Sequence, residues 1–295
     1  MRRKNPANVA DSMSDHQQKK AKQKKPSRKR RASQATRADR HELYQDSVQC
    51  VEAEIDFVDD TFKQLRGRRA QTLREDFCGT GNTSCEWVRR RRGNVAYGID
   101  LDADVQAWGI QHNVAALSGV QAKRIELLHG NVLTARTPSV DVVLAMNFSY
   151  WIFKERALLK RYFKRVLSQL GKDGVFFLDA YGGYDSFKVI KERTRYDHYT
   201  YVWDQASYNP INGDMTCHIH FHFPDGSKLR NAFTYEWRLW TLPEIQEILS
   251  EAGFSRVTVY WQGTEEESGE ADGIFEPAEV GDPDPAWIAY ITAEK

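Results

Sequence analysis

Residues 73–87, LREDFCGTGNTSCEW, constrain the fold more than any other stretch, because a short strand breaks there into Gly-Thr-Gly and resumes as a helix. Gly79 and Gly81 can take backbone angles closed to other residues and carry no Cβ. A ligand can therefore lie against the main chain where the helix presents its free N–H groups. A second strand over residues 95–100 ends in Asp100, about 20 residues after the glycines, the interval a βαβ unit needs to bring an acid to a ribose diol. The two features together predict a nucleotide pocket on a parallel sheet.

The third glycine of a dinucleotide fingerprint is missing, and Glu75 and Asp76 precede the turn. Carboxylates at that point repel a pyrophosphate and can receive an ammonium group, which argues for S-adenosylmethionine (SAM) and against NAD. The run from Glu75 to Gly81 resembles the first motif of class I SAM-dependent methyltransferases. More narrowly, residues 73–80, 147–153, 205–210, 217–221, 235–244 and 286–290 resemble a largely bacterial methyltransferase subfamily. A more distant similarity is to sugar-amine and glycine-type N-methyltransferases, which also carry an antiparallel insertion.

The remaining pattern fits a doubly wound α/β fold. Helices are predicted over residues 43–58, 105–117 and 158–170, and strands over 125–129, 140–145 and 175–179. Residues 241–254 read as a helix with Thr241 as N-cap, Glu244 closing a capping box and Gly253 as terminator. Residues 257–261 and 286–292 supply the last strands, joined by an acidic connector over 265–284 that is expected to be mobile. Residues 182–239 alternate like antiparallel strands with turn signals at 209–213 and 224–226, and read as a cap inserted over the site. The resemblance implies a Rossmann-like, seven-stranded methyltransferase sheet over residues 41–295, with SAM as cofactor.

Ligands of such sheets sit at the carboxyl ends of the strands, which selects the candidate residues. Glu75, Phe77, Cys78, Gly79, Thr80 and Gly81 form the cofactor turn. Asp100 is expected to accept the ribose hydroxyls, with Leu101 and Asp102 flanking the adenine. Gly130 and Asn131 stand where the methyltransferase pattern commonly has an Asp that touches the adenine amino group, and Asn147 is expected at the methionine end. By resemblance Tyr44 and Gln45 line the transfer chamber, with Gln49 beside them.

The expected activity is transfer of a methyl group from SAM to an N or O atom of a small-molecule acceptor. Tyr150, Tyr181 and Tyr208 are candidates to orient the acceptor or take up its proton, and Arg195, His220 and Arg238 to bind it. His218, His220 and His222 share one strand face, but neighbours there are nearly 7 Å apart and need help from another element, so no metal is expected.

Charge separates the first 40 residues, with 14 Lys or Arg against three Asp, from the acidic remainder. They read as a disordered basic tail, a nuclear localisation signal in a eukaryotic host or a nonspecific tether to nucleic acid or the ribosome. That tail keeps open an RNA-, ribosome- or protein-directed methyltransferase as an alternative, beside a SAM-binding interaction protein without catalysis. No apolar run reaches a membrane span and no secretory signal is present, so a cytoplasmic location is expected. Four scattered cysteines fit reduced thiols.

Overall fold

The computed structural model describes residues 32–265 and 271–295. Strands β1 (Thr72–Asp76), β2 (Val95–Asp100), β3 (Ile125–His129), β4 (Val140–Ala145) and β5 (Leu170–Gly182) run parallel, and β10 (Arg256–Thr264), β11 (Ala271–Pro277) and β12 (Trp287–Glu294) complete the sheet. Their order is β11-β10-β12-β5-β4-β1-β2-β3, with β12 antiparallel to both neighbours. The switch between β1 and β4 opens a crevice at their carboxyl ends. Seven strands follow the expected arrangement. The eighth, β11, comes from the acidic connector, whose expected lack of structure is thereby corrected for residues 271–277.

Both faces of the sheet are covered. Helix α3 (Val51–Arg66) turns Ile55, Val58 and Phe62 toward Val142, Leu144 and Phe177, with Trp87 and Val88 from α4 (Asn82–Arg90) beside them. These positions repeat at helical spacing, and Gly67 ends α3 in the left-handed conformation at φ 65°. On the other face, α7 (Arg156–Gln169) and α8 (Leu242–Ala252) bury Tyr162, Phe163, Ile245 and Ile248. Helix α8 carries the Thr241–Glu244 capping box and stops at Gly253. Leu170, expected in α7, opens β5 instead.

A four-stranded antiparallel sheet enters after β5, from β6 (Ile190–Arg195), β7 (Thr200–Tyr208), β8 (Asp214–His222) and β9 (Lys228–Arg238). Met215, Cys217 and Trp237 join it to the main core.

The N-terminal boundary differs from the expected one. Residues 1–31, with most of the basic charge, lie outside the described residues, but order begins well before residue 40. Helices α1 (Gln34–Arg37) and α2 (Arg40–Val48) precede α3, with a break at Gln49 and Cys50 where a continuous helix was expected. The Gln34 and Ala35 N–H groups donate to Asp225 Oδ2 at 2.8 Å and Ser227 Oγ at 3.0 Å, and Tyr199 donates to Asp46. Leu43, Tyr44 and Val48 pack on Ile219 and Phe221. The segment therefore straps the inserted sheet to the main domain.

Among the described residues no helix is long and apolar enough to cross a membrane.

Candidate active site

The turn after β1 is built from left-handed backbone: Phe77, Gly79 and Gly81 lie at φ 59°, 52° and 66°. Glycine bears this freely, whereas Phe77 is strained there. Two other glycines let neighbours close on the turn. A Cβ on Gly98 would come within 2.9 Å of Cys78 Sγ, and one on Gly109 within 2.1 Å of the Thr80 carbonyl oxygen. Gly109 ends α5 (Ala103–Gly109), and the expected helix continues from there as a wider π turn over Ile110–Val114.

Asp100 is locked at the lip of this turn. Its Oδ2 accepts the Gly79 N–H at 2.7 Å and its Oδ1 the Asp102 N–H at 2.8 Å. Each oxygen keeps a second lone pair for a ligand hydroxyl. Gly81 caps α4 without a side chain, so the helix start presents N–H groups and positive dipole to the crevice. One of them, Ser84 N–H, is taken by Glu75 Oε2 at 2.9 Å.

Glu75, Phe77, Cys78, Gly79, Thr80, Asp100 and Asp102 line one cavity of about 570 Å³, together with Gln49, Tyr44 and Asn147. Gln45 stands behind its edge, donating to Thr80 Oγ1 at 2.7 Å. Leu101, Gly130 and Asn131, expected at the adenine, stand apart from this lining. Leu101 is 66% exposed, the Gly130 N–H returns to the Asp100 carbonyl, and the Asn131 amide oxygen caps its own turn by accepting Leu133 N–H at 2.9 Å.

A second chamber, of about 390 Å³, adjoins the first; Tyr44, Asn147, Tyr235 and Trp237 line both. It lies under the inserted sheet, against Tyr181, Tyr201, Trp203 and Trp287. The wall at Asn147 is set by a second strained turn, in which Asn147 and Phe148 both lie at φ 57°. Asp179, at the end of β5, accepts both of their N–H groups at 2.8 Å. Those two charge-assisted bonds hold backbone that would otherwise relax.

Three buried acids meet behind this wall. Burial pushes Asp179 up to about 7 against the pull of the Phe148 and Asn147 N–H groups. Burial likewise pushes Glu75 up to about 7 against its bonds to Ser84. Glu54 on α3 is pushed up to about 8 by burial, and further by Asp179 and Glu75; its Oε2 has no hydrogen-bond partner among the described residues. Sequence reasoning missed Glu54 and Asp179. A signal existed for Glu54, which sits between Val51 and Val58 on the buried face of α3.

Several expected site residues are placed elsewhere. Tyr150 is fully buried and donates to the Asp179 carbonyl at 2.7 Å, so it supports the wall from behind. Tyr208 and Arg238 line a separate cleft with Glu244; Arg238 lies 3.7 Å from the Trp240 ring centroid and donates to Glu244 and to the Lys154 carbonyl. Arg195 ends the exposed edge strand β6. His220 is buried between the Asn231 N–H, which its Nδ1 accepts at 2.8 Å, and Asp204 Oδ2, 3.1 Å from its Nε2. Both nitrogens are thereby occupied in pinning a β-bulge. Tyr181 does line the second chamber, but its hydroxyl donates to Gln205 and burial pushes it far above the usual phenol range, so it takes up no proton as phenolate. Among the described residues no cluster of three or more His, Cys, Asp or Glu side chains is placed to hold a metal.

No protein-family model and no curated protein matches the sequence. Solved structures do match the fold. A SAM-dependent methyltransferase from Clostridium acetobutylicum superposes with a TM-score of 0.61 at 14% identity, over 85% of this chain and 96% of the other. The amino pentose methyltransferase CalS10 from Micromonospora echinaspora gives 0.60 at 14% identity, over 86% and 96%. The sugar N-methyltransferase KedS8 from a Streptoalloteichus species gives 0.59 at 16% identity, over 88% and 93%. With the β1–β4 switch, the glycine turn and the antiparallel insertion in place, the chain has the fold of the class I SAM-dependent methyltransferases.

Proposed function

We propose that the protein is a SAM-dependent methyltransferase that methylates an N or O atom of a small molecule. The observation that carries this reading is the pair of cavities meeting at Tyr44, Asn147, Tyr235 and Trp237, one built on the glycine turn and one under the inserted sheet. The residues of the first fit the cofactor. Asp100 offers two placed lone pairs to a ribose diol, the uncapped start of α4 suits a carboxylate, and Glu75 and its buried neighbours suit positive charge.

SAM, when bound, supplies an activated methyl group on a cationic sulfur. The chain's part is alignment and exclusion of water. Asn147, fixed through Asp179, sets the floor between donor and acceptor. Tyr44, Tyr235 and Trp237 form the wall through which the acceptor atom must reach the methyl carbon. Burial pushes the Tyr44 phenol up to about 12, so it stays neutral and orients a partner by hydrogen bonding.

Asp100→Ala is expected to weaken SAM binding by about 1.5–3 kcal/mol through lost hydrogen bonds to a charged acceptor. Calorimetry measures this directly. A folded variant with wild-type affinity would remove Asp100 from the donor site. Turnover itself is tested with methyl-labelled SAM and whole cell extract, in which the label is expected in a small-molecule product; label transferred only to RNA or protein would overturn the small-molecule reading.

A further inference from the structure

The charges around the second chamber point to the kind of acceptor it takes. Among the described residues no Lys, Arg or His lines it. Its charged rim residues are Asp185, ion-paired with Lys188 at 2.5 Å, and Glu192, which has no ion pair among the described residues. Behind the Asn147 wall stand Asp179 and Glu54, the latter 6% exposed with Oε2 unpartnered. The cationic side chains that would have suited an acidic acceptor are elsewhere: Arg238 on Trp240, Arg195 at the end of β6, His220 against Asp204.

The remaining lining is aromatic. Tyr235 stacks on Trp237 with centroids 4.4 Å apart, and Trp203 lies 6.2 Å from Trp237. Ring faces beside the Glu192 carboxylate attract an organic cation and offer apolar area to its body. Two of its polar liners are committed already. Gln205 donates to the Asp185 and Lys188 carbonyls and accepts from Tyr181, and Ser186 donates to the Gly183 carbonyl.

We propose that the chamber takes a small organic amine on an apolar body, bound as its ammonium ion against the aromatic wall, and that its nitrogen is the methyl acceptor. The inference rests on the methyltransferase reading. For transfer, the ammonium first releases one proton to water at the chamber mouth. The freed lone pair forms the N–C bond as the S–C bond breaks, and the electron pair of that bond returns to sulfur. Ammonium and SAM thus give N-methylammonium, S-adenosylhomocysteine and one proton.

Three probes with one phenyl body and different charge test this: 2-phenylethylamine, 2-phenylethanol and phenylacetate, each titrated into the protein saturated with S-adenosylhomocysteine and followed by tryptophan fluorescence. The amine is expected to bind about tenfold tighter than the alcohol, and phenylacetate to show no saturable binding. Glu192→Gln, on an exposed edge strand, is expected to shrink the gap between amine and alcohol about threefold while leaving S-adenosylhomocysteine affinity unchanged. Trp203→Phe, which keeps a ring but weakens its cation attraction, is expected to lower amine affinity and spare the alcohol. An amine that binds no better than the alcohol, or phenylacetate binding as well as either, would overturn the inference while S-adenosylhomocysteine still bound. Failure of the wild-type protein to bind S-adenosylhomocysteine would instead overturn the methyltransferase reading, and the inference with it.

Discussion

Asp76→Ala is expected to destabilise the protein by about 3–5 kcal/mol, the usual cost of removing one member of a buried ion pair. Arg74 and Asp76 are both fully buried, with Nε 2.7 Å from Oδ1. Arg74 also donates to the Val132 carbonyl at 3.1 Å, and Tyr162 donates to Asp76 Oδ2 at 2.9 Å. Removing the carboxylate leaves the guanidinium without a counter-charge and the Tyr162 hydroxyl, beside Phe77 and Phe153, without its acceptor. Replacing the pair together, as Arg74→Met with Asp76→Leu, is expected to recover most of the loss, because no charge is then stranded. Urea unfolding measures both. A loss below about 1 kcal/mol in the single variant would show that the pair is dispensable.

Glu54→Gln is expected to flatten the fall in stability of the ligand-free protein as pH rises. Glu54 ordinarily titrates near 4.5 and is held at about 8 in the folded protein. Between those values the native state keeps a proton that the unfolded chain releases. The stabilisation from this group is therefore complete below about pH 4.5 and is lost progressively as pH climbs through about 8. Asp179 and Glu75, both raised to about 7, act in the same direction. Thermal melts at pH 5.5 and 8.5 are expected to differ less in the variant than in the wild type, with the variant more stable at pH 8.5 by a few kcal/mol, on the order of the shift converted to energy. Parallel pH curves would show that Glu54 is solvated. A cationic cofactor beside these acids favours their ionised forms, so SAM binding is expected to strengthen over the same pH window.

What was legible in the sequence is what depends on near neighbours along the chain. The Gly79–Gly81 turn, the Asp100 carboxylate and the Thr241–Glu244 box each declare themselves within a few residues. Strand β6, IKERTR, was not legible as a strand, since an exposed edge needs no apolar alternation. Strand β11 was hidden for the same reason in an acidic stretch. Asp76 lines the first cavity beside Glu75, but successive strand residues point to opposite faces, and its carboxylate is held by Arg74 and Tyr162. Glu54 and Asp179 acquire their character only from what folds over them. Arg238 looked free to meet an acceptor until Trp240 and Glu244 claimed it.

The strap made by α1 and α2 also determines when the site can be completed during synthesis. Ser47 meets Tyr199, 152 positions downstream, and Ala35 meets Ser227, 192 positions downstream. At about 5–20 residues per second, the ribosome takes roughly 10–40 s to deliver those partners. Helix α2 fully buries none of its side chains and, at nine residues, is too short to persist alone. The part of the chain made first thus completes its contacts late, with Tyr44 meeting Phe233 and Asp46 meeting Tyr199 only after β7 to β9 have emerged. A nascent chain halted before residue 199 would hold its glycine turn and Asp100 but have neither the strap nor the wall, leaving it without a closed site until translation resumes.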